Sequence, residues 1–444
     1  MGLPGAAARS GGLTRVARQR RLRWHVRFWI RRSLIPIPCA YLTLAIVLGV
    51  VAPAIDSEIN SRLGPGGGID AARDVLTSTA TGMIAFTGLV VSSVLVAVQF
   101  AASQYSPRLV LWFRRDQLVK NAIGSFLAAP VFALMALRQL ELERVSYSQN
   151  VTVLVALVLL VGAGVLFLAL LQRVIDGLRP RSLYAGVARE GVRAVRVVYP
   201  TPLGGAGPSA PRLLAPEGEF REVDLHDHAG VIVSFDQDLL LHVALQAGVE
   251  LELVPGVGEF VVDGQAVIRV HGEGSLDDDA LRAAISISDE RTVEQDPEFA
   301  IRIIVDTAIR ALSPAVNDPT TAVQGIDALE VIVRELAARD LEAPFVCDRG
   351  GTVRVSWPAP DWGDLLGLAF DEIRAYGASS VQICRRLRAA LNDLRGSTPQ
   401  VGHRLIDDHL ERLDAAVQLA FAVGSPDLPL ARQTDRMGLG RTRA

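Results

Sequence analysis

Two short segments of this chain combine histidine with aspartate at spacings that could contribute metal ligands. In the first, two histidines alternate among aspartates, and alternate residues of an extended segment point to the same side; these residues are Asp224, His226, Asp227 and His228. In the second, His403 and Asp407 lie four residues apart on a predicted helix. A zinc site needs at least three protein ligands, and the sequence positions no third ligand near either pair. A polar loop and a solvated helix face are the simpler interpretations, and we expect neither a metal ion nor a cofactor.

The sequence also lacks a recognisable catalytic motif. It contains no phosphate-binding loop, dinucleotide fingerprint, nucleophile elbow or paired-cysteine zinc site. Its three cysteines, Cys39, Cys347 and Cys384, are far apart and form no metal or redox spacing. We therefore predict no catalytic residues.

A tight corner between two predicted helices is the best candidate site in the second half of the chain. The first helix, Pro297 to Leu312, stops at Ser313-Pro314, and the next begins with Asp318 as N-cap and Pro319 in its first position. A helix N-terminus offers free N–H groups and a positive dipole end, so an anionic ligand or a partner carboxylate could dock there. The candidate set is Arg291, Asp296, Arg310, Ser313, Asn317, Asp318 and Thr320. In the structural alternative, Asn317 and Asp318 satisfy the corner backbone, and Arg310 binds carbonyls or Asp296.

A second candidate is a polar stripe in an apolar segment. Polar and small residues recur there at intervals of four and seven, which keeps them within about 40° of one line on a helix. They are Thr77, Thr81, Gly88, Ser92, Gln99 and Ser103, of which Thr81, Ser92, Gln99 and Ser103 form the candidate polar set. One interpretation is a seam between helices, because small residues let backbones approach in lipid. The other is a water-lined path in an oligomer.

Four apolar runs must position this stripe. They are Leu34 to Ile55, Thr79 to Ala102, Ala122 to Leu137 and Val151 to Leu171. Each is close to the length that spans a hydrocarbon core of roughly 30 Å. Pro130 within the third run is compatible with a spanning helix when neighbours satisfy the carbonyl that it frees. The chain is thus predicted to be a multi-pass membrane protein.

The distribution of arginine predicts the orientation of these spans. Nine arginines and no acidic residue precede the first run, and the loop after the second run is also basic, whereas the loop after the first carries four acidic residues against two arginines. Basic flanks stay on the cytoplasmic side, so both termini should be cytosolic. A cleaved signal peptide ending near Ala52-Pro53-Ala54 is disfavoured, because the run is too long and about thirty residues precede it. Only Lys120 among 45 basic residues is lysine, which suggests a GC-rich bacterial genome and hence a bacterial inner membrane.

The remainder of the chain is predicted to be an α+β region. A strand at Gly230 to Phe235, a helix capped by Asp236 and a strand at Val249 to Leu253 precede a hairpin of Phe260 to Val262 with Ala266 to Val270 about Asp263-Gly264. Beyond it we expect mainly helices and one small hairpin, Pro344 to Cys347 with Thr352 to Trp357. The predicted domains are a basic arm (1–33), a four-helix transmembrane domain (34–178), a small β-rich module (179–276), a mostly helical domain (277–424) and a disordered tail (425–444).

Two stretches give the chain a family resemblance. They are Arg291 to Pro297 with Asp306 to Ala322, and Ser103 to Arg108 after the second run. They closely resemble a family of bacterial membrane proteins defined by domain of unknown function 2254, over about Arg31 to Ala422. Val231 departs from the family pattern, in which an aromatic residue is usual, so a ligand role for that strand is doubtful. The family has no established activity, so the resemblance implies the architecture and no chemistry.

Two function classes lead from these observations. The first is a non-enzymatic, oligomeric sensor or scaffold with a cytosolic C-terminal domain, and the second is an ion channel or small-solute transporter with a path beside the second span. The spans contain no charged residues as delimited here, which favours the first class. A membrane-tethered enzyme is third. The expected partners are the lipid bilayer, further copies of the chain and a cytosolic anionic ligand or protein, with no nucleic acid.

Overall fold

The computed structural model describes residues 33–63, 69–104, 116–142, 150–177, 179–203, 219–226, 229–274, 276–341 and 345–436. The chain forms two compact units that divide between Arg179 and Pro180. The first unit contains four helices long and apolar enough to cross a membrane, which confirms the four predicted spans. They are α1 (Pro36–Leu63), α2 (Ile69–Gln104), α3 (Gln117–Leu142) and α4 (Asn150–Gly177).

Helix α3 is the centre of the membrane unit and packs against all three other spans. Its contact with α1 depends on two glycines. A Cβ at Gly49 of α1 would lie 2.5 Å from the Cβ of Met135, and one at Gly124 of α3 would lie 2.7 Å from the ring of Tyr41. Close approach of backbones through small residues is the usual way that helices associate in lipid, and here it joins α1 to α3.

Pro130 lies inside α3 and is accommodated as expected. Proline has no N–H, so the carbonyl of Phe126, four residues earlier, loses its helical partner. The hydroxyl of Thr87 on α2 lies 3.1 Å from that carbonyl oxygen and 2.6 Å from the carbonyl oxygen of Met83 in its own helix. A neighbouring span thus donates to the group that the proline leaves free.

Two charged residues are buried among the described residues of this unit. Asp56, near the end of α1, is 1% exposed. Its carboxylate accepts hydrogen bonds from the backbone N–H groups of Val151 and Thr152, each at 2.9 Å, and from the Thr152 hydroxyl at 2.7 Å. It therefore caps the first turn of α4. Lys120 is fully buried within α3, which begins five residues before the apolar run that predicted it. Since Asp56 lies inside α1, the expectation of spans without charge is wrong for both helices.

The described residues of the second unit form two small sheets. Its strands are β1 (Phe220–Asp224), β2 (Gly230–Phe235), β3 (Glu250–Leu253), β4 (Phe260–Val261), β5 (Ala266–His271), β6 (Ile285–Ser288), β7 (Phe345–Cys347) and β8 (Val353–Ser356). The five-stranded sheet has the order β1-β5-β3-β8-β7, and the three-stranded sheet has the order β4-β2-β6. Between them lies a core that includes Ile232, Leu240 and Leu251. Strands β3 and β8 pair in parallel, and the other named pairs are antiparallel.

The expected hairpin about Asp263-Gly264 is wrong in its pairing. Gly264 does have a positive φ of 76°, and the turn forms. However, β4 pairs with β2 and β5 pairs with β1 and β3, so the turn passes the chain from one sheet to the other. The predicted hairpin of β7 and β8 is confirmed.

The described residues of this unit also form nine helices. They are α5 (Pro180–Val198), α6 (Gln237–Ala247), α7 (Asp278–Ala283), α8 (Pro297–Ala311), α9 (Pro319–Ala337), α10 (Trp362–Gly377), α11 (Val381–Ser397), α12 (Gln400–Ala420) and α13 (Asp427–Ala431). Asp236, Asp296 and Asp318 each cap the helix that follows by accepting a backbone N–H with the side chain, which the Asx preference for this position explains.

The structure divides this unit differently from the predicted domains. Strands β6, β7 and β8, which follow residue 276, complete sheets begun by earlier strands. Helix α5, placed in the predicted β-rich module, packs instead on α8 and α9, where Gly191 lies against Ala300 and Ile332. The predicted disordered tail is also ordered to residue 436, since α13 packs on α11 and Ala431 is fully buried.

Candidate functional site

The residues of the predicted corner site lie at opposite ends of α8. Arg291 and Asp296 stand at its N-terminus, whereas Arg310 and Ser313 stand at its C-terminal end, beside the start of α9. Fifteen helical residues span about 22 Å at a rise of 1.5 Å each. The expectation that Arg291 lies near the corner, and that Arg310 reaches Asp296, is therefore wrong.

The corner itself is tied together by its own side chains. Asp318 accepts the Thr321 N–H at 3.0 Å and the Thr321 hydroxyl at 2.6 Å. Ser313 donates its hydroxyl to the carbonyl of Arg310 at 2.7 Å. Asn317 takes a positive φ of 46°, a conformation that asparagine tolerates better than most residues. Because a carboxylate already occupies the first turn of α9, this geometry favours the structural interpretation; an anion site here, with exposed Thr320 at its edge, stays a prediction.

The other end of α8 holds a buried ion pair. The side chain of Asp296 is 1% exposed and pairs with the guanidinium of Arg291, whose Nη2 donates to Oδ1 at 3.1 Å. The same Oδ1 accepts the Phe299 N–H at 2.8 Å. The guanidinium lies 5.5 Å from the centre of the Phe299 ring, a cation–π distance. Gly258, at a φ of 93°, gives it room, since a Cβ there would collide with it.

A small cleft opens beside this pair. It encloses about 30 Å³, roughly the space of one water molecule. Its lining includes Tyr199 from the end of α5, Glu298 from the first turn of α8, Gln295 and Trp357. Gln295 is fixed by accepting the Phe235 N–H at 3.1 Å. Tyr199 is only 3% exposed, and no residue that the structure describes bonds to its hydroxyl.

Glu298 carries the most informative electrostatics of the cleft. Its pKa is raised to about 7, first by burial and then by the nearby charge of Asp296, with Asp364 and Glu259 adding to the effect and Arg291 opposing it. Burial, and then the charges of Glu298 and Asp296, raise the pKa of Tyr199. The cleft therefore holds a carboxyl group that changes charge near neutral pH. In the sequence, charges of opposite sign alternate every four residues at Glu298, Arg302, Asp306 and Arg310, a pattern typical of a solvated helix face. No sequence signal links Glu298 to Tyr199.

Glu298 should make the stability of the protein depend on pH. Its folded pKa of about 7 lies above the ordinary glutamate value of 4.5, so the folded state retains a proton that the unfolded state loses. The free energy of unfolding should therefore fall by about 3 kcal/mol as pH rises from 4.5 to 7, and then level off. Glu298→Gln should remove this component and raise the melting temperature at pH 8. Melting curves of the purified protein between pH 5 and 8 would measure it, with exposed Glu273→Gln as the matched control. Equal pH dependence in wild type and Glu298→Gln would contradict it.

The polar stripe of α2 faces away from the other spans. Thr77, Thr81, Ser92 and Gln99 are exposed on the membrane unit; the Ser103 side chain lies outside the described residues. The opposite face of α2 forms the internal contacts, through Leu76, Ala80, Met83, Thr87 and Val90. The stripe is thus no seam within one copy of the chain.

The structure gives no support to a metal site at either of the two segments that contain histidine and aspartate. Asp227 and His228 lie outside the described residues. His403 lies 2.9 Å from the carbonyl oxygen of Thr398, and Asp407 pairs with Arg395. Within the part of the chain that the structure describes, no three His, Cys, Asp or Glu side chains are grouped so that they could hold a metal ion.

Four apolar helices followed by a mixed unit of helices and two sheets define a multi-pass membrane protein with an α+β region after its last span. The chain belongs to the bacterial family described as predicted membrane protein, domain of unknown function 2254, which matches residues 31–393. It is 26% identical over 384 residues to uncharacterised proteins of Mycobacterium bovis and Mycobacterium tuberculosis, which covers 82% of this chain and 70% of each relative. No solved structure matches the chain significantly.

Proposed function

We propose that this protein is a non-enzymatic sensor or scaffold of the bacterial cytoplasmic membrane that self-associates through the exposed stripe of α2. The stripe is the observation that carries the proposal. From Thr77 to Gln99 the chain rises by 22 residue steps, or about 33 Å at 1.5 Å per step, which is the full thickness of a hydrocarbon core. The stripe is therefore long enough to pack against a second spanning helix across the whole bilayer.

The physical argument concerns polar groups in lipid. Gln99 presents an amide, and Thr81 and Ser92 present hydroxyls, on a face that no other span of the same copy covers. Lipid chains offer these groups no hydrogen-bond partner. The α2 stripe of a second copy offers donors and acceptors at the same depth, and Gly88 lets the two backbones approach. Association in the membrane would bring the cytosolic regions together, which suits a scaffold or a sensor that responds through assembly.

Cysteine substitution tests this interface. In a background without Cys39, Cys347 and Cys384, oxidation should link two chains through Ser92→Cys or Gln99→Cys. Val94→Cys and Val98→Cys are the matched controls, because these positions project away from the stripe at helical spacing. A purely monomeric protein that forms no disulfide at any of the four positions would overturn the proposal.

A channel or transporter beside α2 is the second candidate, and the exposed amide of Gln99 favours it. In that arrangement the stripe lines water between copies. The same cysteines at Ser92 and Gln99 would then react with small aqueous thiol reagents while the two valine positions do not. Ion or solute flux into proteoliposomes should also fall in Gln99→Leu. If all four cysteines are equally protected and no flux is measured, the stripe is a packing interface and not a water-lined path.

The proposed orientation places both termini and the region after α4 in the cytosol, and the charge of the loops supports it. Reporter fusions after Gly67 and Glu143 should report the outside, and fusions after Arg115 and Gly204 the inside. A periplasmic signal from the Gly204 fusion would invert the scheme and remove the cytosolic role from the proposal.

A further inference from the structure

A groove runs along the outer surface of the membrane unit between α2 and α4. It encloses about 680 Å³, a volume in the range of small-molecule sites. One wall is formed by α2 and the other by α4, and the lining residues are Asp74, Val75, Ser78, Thr79, Gly82, Met83, Phe86, Leu157, Leu160, Gly164 and Phe167. This surface is separate from the polar stripe, because Thr77, Thr81, Ser92 and Gln99 do not line it.

The polarity of the groove changes along its length. Asp74 and Ser78 form its end near the start of α2, and the deeper walls are apolar. At its far end Phe86 and Phe167 meet edge to face, with ring centres 5.0 Å apart, and close it. An amphipathic molecule with its polar part at the membrane surface fits this gradient, since the bilayer itself has the same order of polarity with depth.

The depth of the groove distinguishes an acyl chain from a helix. From Asp74 to Phe86 the helix rises by 12 residue steps, or about 18 Å, close to half of a hydrocarbon core of roughly 30 Å. A lipid chain reaches to the middle of the bilayer, whereas a spanning helix crosses both leaflets and needs a surface as long as the α2 stripe. Asp74 pairs with no side chain that the structure describes, so a carboxylate is available at the mouth for a cationic headgroup.

We propose that the groove between α2 and α4 binds one acyl chain of a phospholipid with an ammonium headgroup, and that Asp74 and Ser78 receive the headgroup. The chain would lie against Leu157, Leu160 and Met83 and end at the Phe86–Phe167 contact. The assignment depends on the membrane placement of the two helices and on neither the orientation nor the oligomeric state. It gives the protein a bilayer component as a specific ligand.

The glycines of these two helices supply matched variants. A Cβ at Gly82 or Gly164, which line the groove, would meet nothing within 4 Å, and the same holds at Gly162, which does not line it. A phenylalanine at any of the three therefore adds the same bulk, and its Cβ has open space around it. At Gly82 or Gly164 the ring would occupy the space of the chain.

The test uses the full-length protein in vesicles of phosphatidylethanolamine and phosphatidylglycerol, with a trace of phosphatidylethanolamine that carries a photoactivatable diazirine on one acyl chain. Mass spectrometry should find the adducts concentrated around Gly82 and Gly164. Gly82→Phe and Gly164→Phe should lower the yield of these adducts by about threefold or more, because the chain loses its contacts, while Gly162→Phe keeps the wild-type yield. Adducts spread evenly over all lipid-facing helices, or an equal yield in all three variants, would overturn the proposal.

The headgroup is tested with a second probe of the same chain on phosphatidylglycerol. Asp74→Asn should lower the phosphatidylethanolamine adducts by about twofold or more, because it removes a charge-assisted bond, and should not lower those of phosphatidylglycerol. Equal loss or no loss with both probes would overturn the headgroup assignment. No adducts in wild type, together with a disulfide-linked dimer of Gly164→Cys in the cysteine-free background, would show that a second copy occupies the groove instead, which also overturns the proposal.

Discussion

Asp56→Ala should lower the free energy of unfolding by about 3 kcal/mol, since it removes the acceptor of three buried bonds at once. The carboxylate binds the N–H groups of Val151 and Thr152 and the Thr152 hydroxyl, and it is 1% exposed. Without it, the first turn of α4 loses its cap beside α1, where neighbouring helices leave little room for water. The negative charge of Asp56 also interacts favourably with the positive, N-terminal end of the α4 dipole.

Denaturant or thermal unfolding of the detergent-solubilised protein would measure this loss. Asp56→Asn should give an intermediate result, because asparagine retains one accepting oxygen but presents an NH₂ group to the second donor. Ser57→Ala is the neighbouring control and should stay within about 0.5 kcal/mol of wild type. A loss for Asp56→Ala no larger than that of the control would mean that the cap contributes nothing to the membrane unit.

The sequence predicted the spans well and their packing poorly. Apolar runs and loop charges are signals of a single segment, and lipid selects them segment by segment. The residues that pack between spans carry no such signal, because lipid is as apolar as leucine. The sequence therefore does not distinguish an alanine that contacts another helix from an alanine that contacts lipid. The conspicuous stripe on α2 therefore faces outward, and the internal seam runs through Gly49 and Gly124, which no polar pattern marks.

In the second unit, local structure was predictable and the pairing of strands was not. The turn at Gly264 forms as its sequence requires, but the strands on its two sides join different sheets. The five-stranded sheet depends on the parallel pairing of Leu251 with Val355, which are 104 residues apart in sequence. Such pairings depend on which apolar faces cover each other. The predicted domain boundary at residue 276 followed a local change in the sequence pattern, so it divided strands of the same sheet between two domains.

The candidate site shows the same difference. Fifteen residues of helix separate Asp296 from Leu312, and this length alone could have shown that Arg291 and Arg310 do not share a site. The cleft of Glu298 and Tyr199 could not have been predicted, because Tyr199 precedes Glu298 by 99 residues and reaches it only through the packing of α5 on α8.

The Arg291–Asp296 pair gives the second large expected effect. Arg291→Leu should lower the free energy of unfolding by about 3 kcal/mol at pH 7, because it leaves a buried carboxylate without its counter-charge. Asp296 is 1% exposed and also caps α8, so it cannot turn to solvent without loss of the cap. Protonation would relieve the unpaired carboxylate, and the variant should therefore recover part of its stability as pH falls toward 5.

The double variant Arg291→Leu/Asp296→Asn separates a structural pair from a ligand site. Asparagine caps a helix almost as well as aspartate and carries no charge, so the double variant should regain most of the stability that Arg291→Leu loses. Denaturant unfolding of wild type, both single variants and the double variant gives the coupling free energy directly. If the losses of the single variants simply add, the two side chains do not depend on each other, and Arg291 would be free to serve a bound anion. A strong favourable coupling instead means that Arg291 is committed to Asp296, so the chemistry that remains at this end of α8 is that of Glu298 and its cleft.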